Sequence, residues 1–466
     1  MKFSKEQLTA VTVHTVFEGD QSGDLQQLHN RKLFSGKPNT TYAMLNVSGE
    51  GTIYYGLGKE DEINPYLTTT YFHHLGKYLE KMNLPNVHLT IPSKIQEDSE
   101  MKAKVFEGLY QAEYKYNEFK KSKKEAFELT VSVERPDDME ASFITVEHVV
   151  KGAFVARDFV NQPSNQLYPE TYAAQIVDLF KDTNVSVEVY DEKQIEELGM
   201  EAFLTVAKGS NRAPRLIVMK YMPLDQEEHI TIVGKGMTYD SGGYAIKSTA
   251  GMVNMKSDMA GSAAVVGALY ALEKVGVQQN VVGVIAAAEN MIDGKAMKNG
   301  DIIGSMKGTT IEVNNTDAEG RLTLADAIYY AATELKSTEI VDLATLTGAA
   351  IAALGPNTTA MISNNDDLAD AVLDASEKGC EPTHRLPAFP SHYKMIKGQF
   401  GELNNAPKGG GGAITAGIFL EHFAEGLPWV HLDIAGPSFG GKPFDYLPAG
   451  ASGTGVKTLY RWIAAK

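Results

Sequence analysis

From about residue 166 onward, apolar runs of strand length alternate with segments of helical periodicity, and this alternation narrows the fold more than any other feature of the chain. The strand candidates are Leu216-Ile217-Val218-Met219, Ile230-Thr231-Ile232-Val233, Val281 to Ala287, Ile340 to Leu346 and Trp429 to Ile434. Helices are predicted at about 260–275, 322–336 and 413–424. Strands that are apolar throughout belong to a sheet covered on both faces. Such sheets collect ligands in the loops beyond the carboxyl ends of their strands. By this reading Val233 ends a strand, Gly234-Lys235-Gly236 opens a loop, and Asp317 to Arg321 sits immediately before a helix.

The part before this is a different unit. Residues 1 to 141 read as a small α/β domain, with short apolar runs such as Tyr42 to Val47 and Val87 to Ile91 and helix-like pieces such as 101–127. They hold no cluster suited to chemistry. The pair His73-His74 is adjacent in sequence, and adjacent residues do not share a helix face. Phe143, Val146, Val149, Val150, Ala153, Phe154 and Val160 recur at spacings of three and four, which predicts an amphipathic helix ending at Asn161-Gln162-Pro163. Residues 142–165 are taken as the connector, and 166–466 as the domain that carries the chemistry.

The formal net charge of −16 argues against nonspecific binding to nucleic acid or to an anionic membrane. The single cysteine, Cys380, excludes an intramolecular disulfide and a cysteine-based zinc site, and fits a reducing compartment. The first residues lack the apolar core of a signal peptide, and no stretch approaches the roughly 20 apolar residues of a membrane span. The expectation is a cytoplasmic, soluble protein.

Asn315-Thr316-Asp317-Ala318-Glu319-Gly320-Arg321 packs two carboxylates and a guanidinium beside a glycine. Upstream, Lys235, Asp240, Lys247 and Asp258 form a second charged set. Bringing four carboxylates together is costly unless cations neutralise them, and divalent metals do so. Carboxylates are hard oxygen ligands suited to Mg, Mn or Zn. Two metals would make a hydrolytic site. Asp317 and Glu319 lie two apart, so a bend must turn both toward one cation, and Gly320 supplies local freedom. Each residue also has a structural reading. Lys235 could be a solvated charge, Asp258 a helix N-cap, and Asp317 with Glu319 the acidic lead-in to a helix.

The segments Val233 to Gly236, Tyr239-Asp240-Ser241-Gly242-Gly243, Met255 to Met259 and Asn315 to Leu322, in this order and spacing, closely resemble the leucyl aminopeptidase family of dinuclear metallopeptidases. Ala156 to Asn161, Ala344 to Ala349, the glycine run 409–412 leading into Ala413-Ile414-Thr415-Ala416, and His431 to Gly436 match as well. The resemblance implies a small N-terminal α/β domain and a larger catalytic α/β domain with a central mixed sheet flanked by helices. It implies a metal-dependent aminopeptidase acting on peptides with a free N-terminus, favouring leucine-like residues. It also implies two divalent ions per subunit, Mn or Zn, and a homohexamer with active sites facing an interior cavity.

One ion would be held by Asp240, Asp317 and Glu319, the other by Lys235, Asp240, Asp258 and Glu319. Lys247 and Arg321 match the two catalytic positions. Arg321 would hold a bicarbonate ion, helped by the backbone at Gly320 and Leu346. Met255, Thr345 and Gly348 would line the pocket for the N-terminal side chain. The chain departs from the family at Tyr239, Tyr244 and Ser248, where Phe, Leu and Pro are typical. It carries Ala260-Gly261 in place of Gly-Gly, and Asn299 where proline is common. None of these removes a ligand or a catalytic charge.

Other motifs fall away. His431, between apolar strand residues, reads as a packed core histidine. Cys380 follows Lys378-Gly379 in an expected loop and reads as incidental. The glycines 409–412 lack the Gly-Lys-Ser/Thr of a phosphate loop and read as a flexible loop near the site. Two rivals to the peptidase are a DNA-binding regulator, opposed by the absence of a basic stripe, and a catalytically silent scaffold, opposed by the retention of all seven charged positions.

Overall fold

The computed structural model describes residues 1–8, 10–121 and 127–466. The chain forms two compact units, one of residues 1–150 with 443–448 and the other of residues 151–442 with 449–466.

The first unit is built on six strands, β1 (Lys2–Ser4), β2 (Val11–Val16), β3 (Thr41–Leu45), β4 (Gly51–Gly56), β5 (Asn86–Thr90) and β6 (Thr130–Val133), in the order β1-β6-β5-β2-β4-β3. Only β3 runs antiparallel to its neighbour. The helices Pro65–Met82 and Ser99–Gln111 pack closely because Gly108 has no side chain; a Cβ there would lie 2.3 Å from the Thr69 carbonyl oxygen. Of the helix expected over 101–127, the described part is Ser99–Gln111, and residues 122–126 lie outside the described residues. The helix expected from 142 begins earlier, at Pro136. A proline at the first position with Asp137 and Asp138 in the first turn suits a helix start.

The second unit holds an eight-stranded mixed sheet: β7 (Val185–Tyr190), β8 (Arg215–Tyr221), β9 (Ile230–Asp240), β10 (Val281–Asn290), β13 (Ile340–Ala344), β14 (Thr359–Ser363), β15 (Thr383–Arg385) and β17 (Trp429–Asp433). Their order is β15-β14-β17-β13-β9-β10-β8-β7. The central run β17, β13, β9 and β10 is parallel; β14 joins β17, and β8 joins β10 and β7, in antiparallel fashion, while the edge strand β15 runs parallel to β14. Two small sheets complete the unit: β11 (Ile302–Ile303), β12 (Ile311–Glu312) and β16 (Leu403–Asn404), and then β18 (Phe439–Gly440) with β19 (Gly450–Ala451).

Successive residues of a strand point to opposite faces. On β9, Gly234 faces Ser262 of the helix Ala260–Val275, while Val233 packs with Leu322, Leu324 and Ile328 of the helix Gly320–Thr333. Both faces of the central strand are therefore covered, as its unbroken apolar pattern predicts. Among the described residues no helix is long and apolar enough to cross a membrane.

The loop expected at Gly234-Lys235-Gly236 is instead strand, because β9 runs on to Asp240. The glycines are there for close approach. A Cβ on Gly234 would lie 2.4 Å from Ser262 Cα, and one on Gly236 would lie 2.7 Å from Ile285 Cγ2. β13 stops at Ala344, short of the expected Leu346, because the next backbone N–H groups turn to the carboxylate of Asp433.

Candidate active site

The charged residues singled out above meet at the carboxyl end of the central strand. Lys235 and Asp240 both lie on β9 and are 3% and 2% exposed. Asp258 follows the short turn Met255–Ser257, and Asp317 and Glu319 sit in the segment between β12 and the helix Gly320–Thr333. That segment is bent by its neighbours. Asn405 Oδ1 accepts the N–H of Asn314 at 2.8 Å, and its amide donates to the carbonyls of Asn315 at 2.8 Å and Ala318 at 3.2 Å. The Thr316 hydroxyl donates to the Gly242 carbonyl and accepts the Ala245 N–H, both at 2.8 Å. Asn290, at the end of β10, donates to Asp240 Oδ1 at 2.8 Å and to the Thr316 carbonyl at 3.0 Å.

The result is that one ligand atom each from Asp240, Asp317 and Glu319 lies within 4.8 Å of the others. Lys235 Nζ stands 2.8 Å from Asp258 Oδ2 and 3.0 Å from Glu319 Oε1. Lys247 Nζ stands 2.8 Å from Asp240 Oδ2 and 2.6 Å from Asp317 Oδ1. Asp258 does not cap a helix: the N-cap of Ala260–Val275 is Met259, with no side-chain cap bond. Lys235 is not solvated, and Gly320 is needed for space rather than for bending. A Cβ at Gly320 would lie 2.4 Å from Lys235 Cε and 2.6 Å from its Nζ.

Crowding sets the electrostatics. Burial, with Asp240 adding to it, lifts the Glu319 carboxyl to about 8, and burial lifts Asp258 to about 6 against the pull of Lys235. Burial also raises Asp317 above the usual carboxylate range. Burial alone would lower Lys235, but Asp258, Glu319 and Asp240 outweigh it and hold the ammonium well above its usual value; Lys247 is held up likewise by Asp240 and Asp317. Asp317 Oδ1 and Glu319 Oε1 are buried without a hydrogen-bond partner among the described residues, each lying against an ammonium instead. Hard oxygen donors that converge, with lone pairs to spare, fit divalent cations.

Lys235, Asp240, Lys247, Asp258 and Asp317 face a cleft of about 730 Å³, lined also by Met255, Arg321, Thr345, Leu346 and Gly348. Gly320 lies just beneath, at the start of the helix. Arg321 has an Nε that is buried and unpartnered, and burial lowers its pKa to about 10, opposed by Glu319 and Asp433. Among the described residues no carboxylate lies within ion-pair distance of it. The Leu346 N–H donates to Asp433 Oδ1 at 3.1 Å. Thr345 bridges: its hydroxyl donates to Asp258 Oδ1 at 2.7 Å and its carbonyl accepts from Lys235 Nζ at 3.1 Å. Tyr244 lies outside the cleft, its hydroxyl donating to the Asp293 carbonyl at 3.0 Å. His431 is fully buried and paired with Asp342 at 2.6 Å, in keeping with a core role.

Asn290 and Asn405 escaped the reading of the sequence, and Asn299 and Asp433 entered it only as a departure and as part of a matching segment, with no role attached. Asn299 Oδ1 accepts the Thr316 N–H at 2.9 Å and so braces the carboxylate segment. Single polar residues at strand ends and in loops carry no periodic signal, and only their contacts reveal them.

Comparison with known proteins agrees with this geometry. Residues 154–460 match the catalytic domain of the cytosol aminopeptidase family, and residues 3–123 match that family's N-terminal domain. A "Probable cytosol aminopeptidase" of Treponema denticola is 42% identical over 474 residues, covering 100% of this chain and 99% of that relative. One of Clostridium perfringens is 45% identical, covering 88% of this chain and 85% of the relative. Among solved structures, the bottromycin maturation enzyme BotP is similar with a TM-score of 0.88 and 31% identity, covering 98% of this chain and 99% of its own. It has also been solved in complex with Mn. A mutant of tomato leucine aminopeptidase is similar with a TM-score of 0.87 and 30% identity, covering 100% and 97%. The charged cluster, the two-unit fold and these matches lead to one assignment: the chain belongs to the cytosol aminopeptidase family, metal-dependent hydrolases that remove residues from the amino end of peptides.

Proposed function

We propose that this protein cleaves the N-terminal peptide bond of peptides, favouring leucine-like residues, with two divalent ions, Mn or Zn, and a bicarbonate. The observation that carries the reading is the convergence of Asp240, Asp317 and Glu319 within 4.8 Å, against which Lys235 and Asp258 are packed. One ion is assigned to Asp240, Asp317 and Glu319, the other to Asp240, Asp258, Glu319 and Lys235, whose ammonium would give up its proton to the cation's field to become a ligand. When bound, such a pair supplies an activated water and polarises the scissile carbonyl.

The chain's own residues do the rest. Lys247, at the mouth of the cluster, carries a fixed positive charge toward the carbonyl oxygen that becomes anionic, a task for a preorganised cation. The buried guanidinium of Arg321, with an unpartnered Nε, is suited to an oxyanion such as bicarbonate, whose planar oxygens match its fork. When bound there, with the backbone of Gly320 and Leu346 beside it, bicarbonate supplies a proton carrier between water and leaving amine. Met255, Thr345 and Gly348 form the wall that receives the N-terminal side chain. Met255 is apolar and adaptable, and Gly348 leaves room, with nothing within 4 Å of where its Cβ would be. By the same resemblance the protein is a cytoplasmic homohexamer, which light scattering checks by a mass of six chains.

The test is to strip the protein with chelator, refill it with Mn, Zn, Co or Mg, and assay a panel of N-terminal aminoacyl substrates. Activity that disappears and returns with metal, two ions per chain by elemental analysis, and highest kcat/KM on leucyl substrates are expected. No hydrolysis of any substrate by protein carrying two ions would sink the reading.

A further inference from the structure

At the carboxyl ends of β13 and β17 the parallel ladder runs out. Ala344 lies opposite Asp433, and the Ile434 N–H makes one more ladder bond to the Ala344 carbonyl at 2.8 Å. Beyond it, the N–H groups of Leu346, Thr347 and Ala435 have lost their strand partners and need acceptors. One side chain meets all three. Asp433 Oδ1 accepts from Leu346 at 3.1 Å, Thr347 at 3.4 Å and Ala435 at 3.1 Å, and Oδ2 accepts the Thr347 hydroxyl at 2.6 Å. That hydroxyl in turn accepts the Ala350 N–H at 3.1 Å, as N-cap of the helix Gly348–Leu354. Asp433 is 0% exposed, and among the described residues it forms no ion pair, so backbone and hydroxyl donors carry its charge.

The two loops so joined are one wall of the cleft. Thr345, Leu346 and Thr347 come from the loop after β13, with Gly348 opening the helix that follows, and Ala435 and Ser438 come from the loop after β17, with Phe439 opening β18. The wall is also wired to the charged cluster, since Thr345 grips Asp258 with its hydroxyl and Lys235 with its carbonyl.

We infer that Asp433 is a positioning residue for peptide hydrolysis, one buried carboxylate that locks the two loops into the substrate-facing wall and so sets both the fit of the N-terminal side chain and the placement of Lys235 and Asp258. It does not touch the reacting atoms; it acts through Thr345 and Thr347. The inference rests on the aminopeptidase reading above. A wall loosened by an ångström costs about 10²-fold in turnover, and a loosened wall also distinguishes side chains less well.

The experiment compares Asp433→Ala, Asp433→Asn and Thr347→Val with Asp326→Ala. Asp326 is likewise fully buried and accepts two backbone N–H groups, from Phe203 at 2.9 Å and Met306 at 2.8 Å, but it lies away from the cleft. In metal-loaded enzyme, D433A is expected to lose about 10²-fold in kcat/KM on the best substrate and to flatten the leucyl-to-alanyl ratio, with two ions still bound. D433N, which keeps an acceptor oxygen, should recover most of the ratio, and T347V should fall between. D326A should lower the melting temperature and leave the ratio unchanged. A wild-type ratio in D433A, or the same flattening in D326A, overturns the inference. If D433A does not fold, an unchanged ratio in both D433N and T347V overturns it instead. Failure of the wild type on every substrate would strike the aminopeptidase reading, not the role of Asp433.

Discussion

Lys247 and Glu319 separate two jobs that the cluster combines. Glu319 is buried among the other carboxylates, so Glu319→Ala should lose metal and activity together, as elemental analysis and turnover will show. Lys247 reaches the same carboxylates from the mouth of the cleft, and Lys247→Ala should keep its metal while losing about 10²-fold or more in kcat, as for loss of an oxyanion donor. Full turnover in that variant would remove the role assigned to it. The raised carboxyls make a further prediction. Glu319 at about 8 and Asp258 at about 6 hold protons that a divalent cation must displace. Apparent Mn affinity should therefore climb from pH 6 to pH 8, with proton uptake by the medium visible in a weakly buffered dye titration. The sign also fixes stability. After chelation these two carboxyls hold more protons in the native chain than in the unfolded one, where they titrate at about 4, so their contribution to stability falls as pH rises from there to about 8. An affinity flat across that range would contradict this account.

Among the elements, the glycines of β9 carry the most weight. Gly234→Ala would drive a Cβ into the backbone of Ser262, which cannot swing away, and Gly261→Ala would meet the Leu343 carbonyl at 2.1 Å. Each should destabilise by about 1–3 kcal/mol or more, read from denaturant midpoints. Gly320→Ala meets the flexible end of Lys235 instead, so its cost should fall on metal affinity rather than on folding. The same glycines mark the limit of what the sequence discloses. The central strands and the helices over 260–275, 322–336 and 413–424 are legible because their apolar periods are strong, and the structure has them within a few residues. The carboxylate segment is legible because so many charges in so few positions demand a shared cation. Gly234 and Gly236, by contrast, read as turn punctuation, although they are strand residues shaved to admit a helix and a neighbouring strand. Asp433 reads as one more acid in an apolar run; that it receives three N–H groups from two loops is a long-range fact no local pattern encodes.

At the scale of the whole molecule, both tryptophans, Trp429 and Trp462, are buried in the larger unit. Their fluorescence thus follows that unit alone, whereas far-ultraviolet circular dichroism follows both. Metal at 100 times its Kd should stabilise the unit that binds it by about 2.7 kcal/mol. Chelation should therefore shift the tryptophan transition to lower temperature and leave the first unit's share of the dichroism transition in place. A fluorescence transition indifferent to chelator would argue that no structural energy is invested in the site. The interlock of Lys235 with Gly320 bears on how the molecule comes to exist. The lysine stem fills the space that the glycine leaves at the head of its helix, so the helix cannot dock on the central strand without stripping water from an ammonium. That step is uphill until the carboxylates arrive beside it. Closing the hydrophobic core and gathering the charged residues of the site are thus coupled by geometry, and a chain that has buried this part of its core has, by the same motion, prepared the place where its metal is to bind.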